Sequence, residues 1–348
     1  MTPIHNDEPN ARAEGTSRRT TMGPVTLTSD HLTLTLDPDR GGEITNISAP
    51  GRANSLAYYD WHSPLEAGAG PAYGSSQLDW LSKYQAGWQF LFPNSGAESA
   101  ALGVPVGFHG ETSLSPVTRV HTDTTSCTIT TYARLPLQLH RTIRLAPDAP
   151  TVFIEERVIN IGAVDSPFLW GHHPTFPATP GARLDLPGGK FSVEPSATGN
   201  LVPQSGDWPT AVTAEGSTVD LSVLPDDQMV RLLYLRDMPA AWAALRNPAG
   251  KTQVPGIAMS WDHGAYPALW LWLQNGDEAF PWYGRARMLG IEPQRSWPFD
   301  GLSRAIEREQ ALVARAGEAI TSWLTLTLLP DECGPVTGVD RLGKVSYE

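Results

Sequence analysis

Apolar and polar positions alternate in short runs along most of the chain, and β-branched residues are frequent in these runs. The segment Cys127–Tyr132, which reads Cys-Thr-Ile-Thr-Thr-Tyr, is the clearest example. Turn residues separate the runs, as in the proline-containing segment Ala146–Pro150. We therefore predict a succession of strands at Val25–Leu27, Leu32–Leu36, Glu43–Ile47, Cys127–Tyr132, Gln138–Leu145, Thr151–Ile161, Met229–Leu235, Trp242–Leu245, Gly256–Trp261, Ala268–Leu273, Ala286–Glu292 and Ala319–Leu329.

A helical pattern is found at Ser303–Ala314, where apolar residues lie among Arg and Glu. The segments Leu56–Pro105 and Pro177–Pro225 are irregular, and long ordered loops on a β scaffold are usually functional. Many strands with almost no helix indicate a sandwich or a barrel, and at this length we expect one large two-sheet β-sandwich. The predicted organisation is a disordered leader over residues 1–22 and a single domain over residues 23–348.

The chain is acidic, with 25 Lys and Arg against 37 Asp and Glu and a formal net charge of −12. Because such a chain repels phosphate backbones and anionic lipid, we expect neither a nucleic acid nor a membrane as a partner. Cys127 and Cys333 fit neither a disulfide framework nor a metal site, and reduced thiols favour a cytoplasmic location. The 12 tryptophans suit either a large core or the stacking of indole rings on sugar faces.

Two segments that contain histidine are candidates for chemistry. His109 lies between a Phe and a Gly, where a ligand can approach the backbone closely, although a satisfied turn histidine fits the same sequence. His172 and His173 are adjacent in an extended segment, so their side chains point to opposite faces, and Pro174 restricts His173 to extended geometry. Histidine donates and accepts protons near neutral pH, which suits general acid–base catalysis.

Three further segments combine polar and aromatic residues. Glu292 ends an apolar strand, where partial desolvation would raise its pKa and improve it as a base, although a salt-bridged surface Glu is the commoner case. Trp270 and Trp272 share one face of a strand, either in the core or as a sugar platform. In the segment Gly87–Gly96, Trp88 and Asn94 are candidates to line a pocket.

In this order, the segments resemble the aldose 1-epimerase (galactose mutarotase) superfamily. The matching motifs are Phe108-His109-Gly110, His173-Pro174-Thr175-Phe176 and Gly290-Ile291-Glu292-Pro293-Gln294, and the resemblance extends from about Gly23 to Leu329. The resemblance implies a large antiparallel β-supersandwich. It also implies an isomerase that binds a small-molecule sugar and uses no cofactor and no metal.

The resemblance further implies the role of each matching residue. Glu292 matches the general base that takes the proton of the anomeric hydroxyl, and His173 matches the general acid that protonates the ring oxygen. His172 remains an alternative to His173 as the acid. The expected substrate-binding residues are His109, Trp88, Asn94, His172, Trp270 and Trp272.

Some features of the galactose-type members are missing or ambiguous. Those members carry an Arg in an early loop, where this chain has Gln85–Trp88. The binding Asp is open among Asp226, Asp227 and Asp237. A phosphorylated sugar would require arginines in the pocket, and the available ones are Arg119, Arg246, Arg285 and Arg287.

Two other functions remain open. The first is a carbohydrate-binding β-sandwich without catalytic activity, because a fold does not fix an activity. The second is a metal-dependent sugar isomerase or lyase, with ligands from His109, His172, His173 and Glu292. The opposite directions of adjacent strand side chains count against this metal site. The sequence leaves open which sugar is bound and the oligomeric state.

Overall fold

The computed structural model describes residues 22–59, 74–248, 250 and 252–348. The predicted leader lies outside the described residues except for Met22, and so do residues 60–73 of the irregular segment. The predicted leader and single-domain organisation therefore stay predictions.

The larger sheet contains the strands that build the candidate site, and strands are numbered here along the chain. Neighbouring strands in this sheet are antiparallel. Across the sheet, the described strands follow the order β1 (Val25–Thr28), β2 (Thr33–Asp37), β3 (Glu43–Ser48), β4 (Trp88–Leu91), β12 (Gly171–Pro177), β22 (Arg287–Gln294), β21 (Ala268–Asn275), β18 (Met229–Arg236), β14 (Lys190–Thr198) and β15 (Ser205–Asp207).

A second antiparallel sheet packs against the first. Its described strands follow the order β13 (Arg183–Asp185), β19 (Trp242–Arg246), β20 (Ile257–Trp261), β24 (Ala319–Leu328), β10 (Thr151–Asn160), β9 (Leu137–Leu145), β8 (Ser126–Tyr132) and β7 (Arg119–Thr122). Four small two-stranded ribbons complete the β structure of the described residues. They pair β5 (Ser99–Ala101) with β6 (Val104–Val106), β11 (Ser166–Phe168) with β23 (Leu312–Ala314), β16 (Thr210–Val212) with β17 (Thr218–Asp220), and β25 (Val336–Val339) with β26 (Val345–Tyr347).

The strands of the second sheet show why the sandwich forms. In β9, burial alternates strictly, because Leu137, Leu139, Ile143 and Leu145 all face the first sheet. Each apolar side chain buried in this way contributes about 1.5–3 kcal/mol. In the larger sheet, by contrast, β12, β21 and β22 are buried on both faces. Their second face must therefore be covered by something other than the second sheet.

The predicted all-β fold class is confirmed, and each predicted strand coincides with an observed one to within a few residues. The predicted helix at Ser303–Ala314 is only partly correct. A helix, α2, covers Leu302–Glu307, whereas Leu312–Ala314 forms a strand that pairs with Ser166–Phe168. Tertiary strand pairing thus overrides the local helical pattern in the second half of the segment.

A second helix, α1 (Ser76–Lys83), was not predicted from the sequence. The hydroxyl of Ser75 caps its first turn by accepting from the amide N–H of Leu78. Trp80 is the buried residue of this helix, so the helix lacks the apolar stripe that a periodicity search detects. Two short 3₁₀ helices of the described residues cover Pro38–Arg40 and Glu111–Ser113.

Cys127 lies buried in β8 and Cys333 lies beyond β24, and both thiols are free. Within the described ranges, no helix has the length and apolar character needed to cross a membrane.

Candidate active site

A cavity of about 250 Å³ opens on the face of the larger sheet that points away from the second sheet. Its aromatic lining comprises Trp80, Phe108, Trp270, Trp272, Trp282 and Phe299. Its polar lining includes Gln77, His109, His173, Glu194, Ser196, Gln274, Asp277 and Glu292. The volume lies just below the roughly 300–1,000 Å³ of pockets for drug-sized ligands, which suits a molecule the size of one sugar ring.

Strand register brings His173 and Glu292 together. On either side of them, Gly171 pairs with Gln294 and Thr175 pairs with Gly290. Residues opposite each other in an antiparallel pair point to the same face, so the two side chains meet above the sheet. His173 Nε2 lies 3.5 Å from Glu292 Oε1, and both residues are at most 3% exposed.

The two predicted tryptophans of β21 lie on this same face. Trp270 pairs directly with Glu292, and Trp272 pairs with Gly290. The ring centroids of Trp272 and His173 are 5.5 Å apart. The indole N–H of Trp270 donates to the carbonyl of Ser296 at 2.9 Å, which fixes the ring.

His172 points the opposite way, into the core between the sheets. Its Nε2 lies 3.0 Å from Glu156 Oε2 and 3.1 Å from the hydroxyl of Tyr266. The indole N–H of Trp88 donates to its Nδ1 at 3.2 Å. The expectation that His172 and Trp88 line the sugar pocket is therefore corrected, because both side chains occupy the core face of their strands. For the same reason, His172 cannot replace His173 as an acid in the cavity.

Asn94 is also outside the cavity, and this too corrects the expectation. Its amide nitrogen donates to the carbonyls of Ala97 and Gly107, both at 2.8 Å. Its amide oxygen accepts from the N–H of Leu302 at 2.8 Å. Asn94 therefore ties together three backbone segments, one of which leads into His109.

His109 reaches the cavity from a loop, with a backbone φ of 58° that non-glycine residues adopt only rarely. The N–H of Gly96 donates to its Nδ1 at 3.1 Å. Nδ1 is thus an acceptor, and in the neutral imidazole the proton resides on Nε2. The ring centroid lies 5.4 Å from that of His173, so both imidazoles border the same space.

Trp80 in helix α1 and Tyr84 directly after the helix are two residues of the site that the sequence reasoning missed. Their rings stack with centroids 4.3 Å apart. The hydroxyl of Tyr84 lies 3.3 Å from His173 Nδ1. The i, i+4 aromatic spacing after a capping serine was the signal available in the sequence.

The carboxylates of the cavity differ from those expected. Glu194 and Asp277 line it, whereas the candidates Asp226, Asp227 and Asp237 do not. Asp226 and Asp237 have side chains that are 83% and 73% exposed, each near an arginine at the surface. Neither Asp277 nor Glu194 lies in a motif that distinguishes it in the sequence.

Among the described lining residues there is no Lys or Arg. Arg119, Arg246, Arg285 and Arg287 therefore do not supply a phosphate site in this cavity. Arg246, for example, donates to both carboxylate oxygens of Asp185 elsewhere on the molecule. Residues 60–73 also contain no Lys or Arg in their sequence.

Burial shifts the acid–base properties of the site. Desolvation lowers the pKa of His173 to about 4 and raises the pKa of Glu292 well above its usual value of 4.5. The amide of Gln294 opposes this shift in Glu292 by hydrogen bonding to its carboxylate. Burial and the neighbouring His173 hold the pKa of His109 well below 6.5.

The predicted metal-ligand set of His109, His172, His173 and Glu292 does not converge. His172 lies on the far side of the sheet, hydrogen bonded to Glu156. In the part of the chain that the structure describes, no three His, Cys, Asp or Glu side chains are grouped to hold a metal ion.

Solved structures of distant proteins share this fold. A protein from Synechocystis sp. PCC 6803 has a TM-score of 0.61 at 17% identity, and the match covers 94% of this chain and 99% of that one. A protein from Klebsiella pneumoniae, provisionally assigned as an aldose 1-epimerase, has a TM-score of 0.64 at 19% identity, with coverage of 86% and 77%. A galactose mutarotase-like protein from Clostridium acetobutylicum has a TM-score of 0.59 at 14% identity, with coverage of 88% and 95%.

No curated protein matches the sequence. A family described as Domain of unknown function (DUF4432) matches residues 21–328, which is most of the chain. The resemblance predicted from the three motifs is confirmed at the level of the fold. The chain belongs to the DUF4432 family, and its fold is that of the galactose mutarotase-like proteins.

Proposed function

We propose that this protein is an isomerase that interconverts the α and β anomers of an aldose. The observation that carries the proposal is the His173–Glu292 pair, with Nε2 and Oε1 3.5 Å apart in a cavity lined by tryptophan. Ring opening of a cyclic hemiacetal requires removal of one proton and delivery of another. A carboxylate and an imidazole side by side suit this pair of transfers.

In the proposed reaction, the Glu292 carboxylate accepts the proton of the anomeric hydroxyl. His173, as the imidazolium, donates a proton to the ring oxygen, and the bond between C1 and the ring oxygen breaks. Rotation about the C1–C2 bond then presents the other face of the aldehyde. Reclosure reverses both proton transfers and gives the other anomer.

The reaction has no net proton change, so the pair must hold one proton at the start and at the end. Burial lowers the pKa of His173 and raises that of Glu292, which favours the state in which the pair holds a single proton and both groups are uncharged. In the uncharged state of the pair, this proton lies on Glu292. Its transfer to His173 produces the carboxylate and the imidazolium that the reaction uses.

The remaining lining residues suit a sugar. The indole and phenyl rings offer flat apolar surfaces to the C–H faces of a pyranose and keep water from the reacting atoms. His109 presents its Nε2–H as a donor to a sugar oxygen. Asp277 and Glu194 offer acceptors for hydroxyl groups at other positions of the ring.

The charge of the cavity favours an uncharged aldose as the substrate. Glu194, Asp277 and Glu292 are its acidic groups, and the described lining contains no cationic side chain. A phosphate or carboxylate on the sugar would enter a low-dielectric space beside like charges, which costs several kcal/mol. We therefore propose neutral hexoses or pentoses rather than phosphosugars or sugar acids.

The test is anomer interconversion, followed by NMR or polarimetry over a panel of neutral aldoses against the rate without protein. We expect acceleration by the wild-type protein and a loss of about 10²–10⁴-fold in Glu292→Gln, which keeps the size of the side chain. Quenching of tryptophan fluorescence by the sugar checks that the variant still binds. Sugar binding without any acceleration by the wild type would instead assign the protein as a carbohydrate-binding β-sandwich.

A further inference from the structure

Gln294 lies two residues beyond Glu292 on the same face of β22, and its side chain is fully buried. Its amide oxygen accepts from the hydroxyl of Ser95 at 2.6 Å. Its amide nitrogen donates to the carbonyl of His172 at 3.1 Å and to Glu292 Oε2 at 3.4 Å. Both N–H donors of this amide and its oxygen therefore have fixed partners.

These contacts determine which way the amide faces. A backbone carbonyl only accepts, so the atom opposite His172 O must be the nitrogen. The hydroxyl of Ser95 then donates to the amide oxygen of Gln294. Because both ends are held, the remaining N–H of Gln294 has one direction available, which is toward Glu292.

A glycine lies beside each of these two side chains, Gln294 and Glu292. A Cβ atom at Gly171 would lie 1.9 Å from Gln294 Oε1, and a Cβ atom at Gly290 would lie 2.3 Å from Glu292 Oε1. Both side chains therefore need glycine beside them to lie along the sheet in these positions. Gly171 on β12 leaves space for the amide of Gln294, and Gly290 on β22 leaves space for the carboxylate of Glu292.

We propose that Gln294, oriented by Ser95, is a positioning residue that holds the Glu292 carboxylate by Oε2 and leaves Oε1 directed at His173 and the cavity. The inference rests on the proposed function, in which Glu292 is the base. Gln294 is absent from the cavity lining, so it acts on the substrate only through Glu292. The other titratable groups described on this side include His173, opposite Glu292, Tyr84 and His109 beyond it, and the lining carboxylates Glu194 and Asp277.

Loss of the amide N–H removes a hydrogen bond to the charged form of Glu292, so the carboxylate becomes harder to form. In Gln294→Leu we expect kcat to fall about tenfold at neutral pH with little change in KM, since no contact with the sugar is lost. We also expect the limb of the pH–rate profile that reports Glu292 to move upward by about one unit.

The test uses Gln294→Leu and Ser95→Ala, with Ser322→Ala as the matched control. Ser322 is also a buried hydroxyl, but it bonds to Tyr266 on the core side of the sheet. Ser95→Ala removes one oxygen atom and is expected to give a smaller shift of the same sign. If Gln294→Leu does not fold, the measurements on Ser95→Ala test the proposal.

A second measurement does not depend on activity. The carboxyl resonance of Glu292 is followed against pH by ¹³C NMR in glutamate-labelled protein and is assigned by its absence in Glu292→Gln. A raised pKa of Glu292 in the two site variants, and not in Ser322→Ala, would support the positioning role even if no sugar is turned over. An unchanged titration and an unchanged pH profile in both variants would overturn it.

Discussion

His172 and His173 are neighbours in the sequence, yet their imidazoles lie on opposite faces of one strand and belong to different networks. His173 faces the cavity, 3.5 Å from Glu292. His172 faces the core, 3.0 Å from Glu156. The same residue type thus has two environments one position apart, because side chains alternate along an extended strand.

The two histidines should therefore separate activity from stability. We expect His173→Gln to lower kcat/KM by about 10²–10⁴-fold with little change in the free energy of unfolding. We expect His172→Gln to lower the free energy of unfolding by about 2–4 kcal/mol, because Glu156 and Trp88 each lose a buried partner. Urea unfolding and anomer interconversion per folded molecule measure both. If His172→Gln instead lowered kcat/KM and His173→Gln lowered only the free energy of unfolding, the core-facing imidazole would be the acid.

The pH dependence of the rate should report the His173–Glu292 pair as a unit. Activity requires one shared proton, so it falls when the pair gains a second proton or loses its only one. Because burial lowers the pKa of His173 to about 4 and raises that of Glu292 well above 4.5, we expect a plateau of activity between the titrations of the two groups. The acid limb should lie near pH 4, which a profile of kcat/KM measures. An acid limb near the ordinary histidine pKa of 6.5 would contradict the lowered pKa of His173.

The acidic lining should exclude anionic sugars. We expect kcat/KM for a hexose 6-phosphate to be about 100-fold or more below that for the parent hexose, because the phosphate meets Glu194 and Asp277 with no cation nearby in the described lining. The double variant Glu194→Gln, Asp277→Asn should narrow this gap by about tenfold. The double variant Asp226→Asn, Asp237→Asn makes the same change of net charge outside the cavity and should leave the gap unchanged. Equal rates for the two sugars in the wild type would refute the charge argument.

The buried ion pair beneath the site should control stability in acid. Arg141 Nε lies 2.6 Å from Glu156 Oε1, and both side chains are at most 2% exposed. Although burial itself raises the pKa of Glu156, the charges of Arg141 and His172 outweigh it and bring the pKa from 4.5 to about 2. The folded-state pKa is depressed, so the associated stability of about 3 kcal/mol is present above pH 4.5 and is lost as the pH falls toward 2.

Removing one partner of this pair should cost more than removing both. Glu156→Gln leaves Arg141 as an uncompensated buried charge and should destabilise the fold by about 3–5 kcal/mol. The double variant Arg141→Met, Glu156→Gln should recover part of that loss. Chemical unfolding at pH 7 and at pH 3 measures both the cost and the pH dependence. An equal loss in the single and double variants would mean that the unpaired charge is not the cause.

The sequence by itself determined the strands, the fold class and the opposite directions of His172 and His173. These features depend on alternation with a period of two, which is a local property of the chain. The order of the motifs around His109, His173 and Glu292 also indicated the fold, and the structure places these three residues around one cavity with Trp270 and Trp272.

Only the tertiary structure decided which face of each strand meets the second sheet and which meets the cavity. Local patterns do not distinguish two buried faces, so Trp88 and His172 were expected at the sugar and lie in the core. The short helix that carries Trp80, and the carboxylates of Glu194 and Asp277, reach the cavity through contacts between distant segments. The register between β12 and β22 places His173 beside Glu292, and that pairing spans more than a hundred residues of chain.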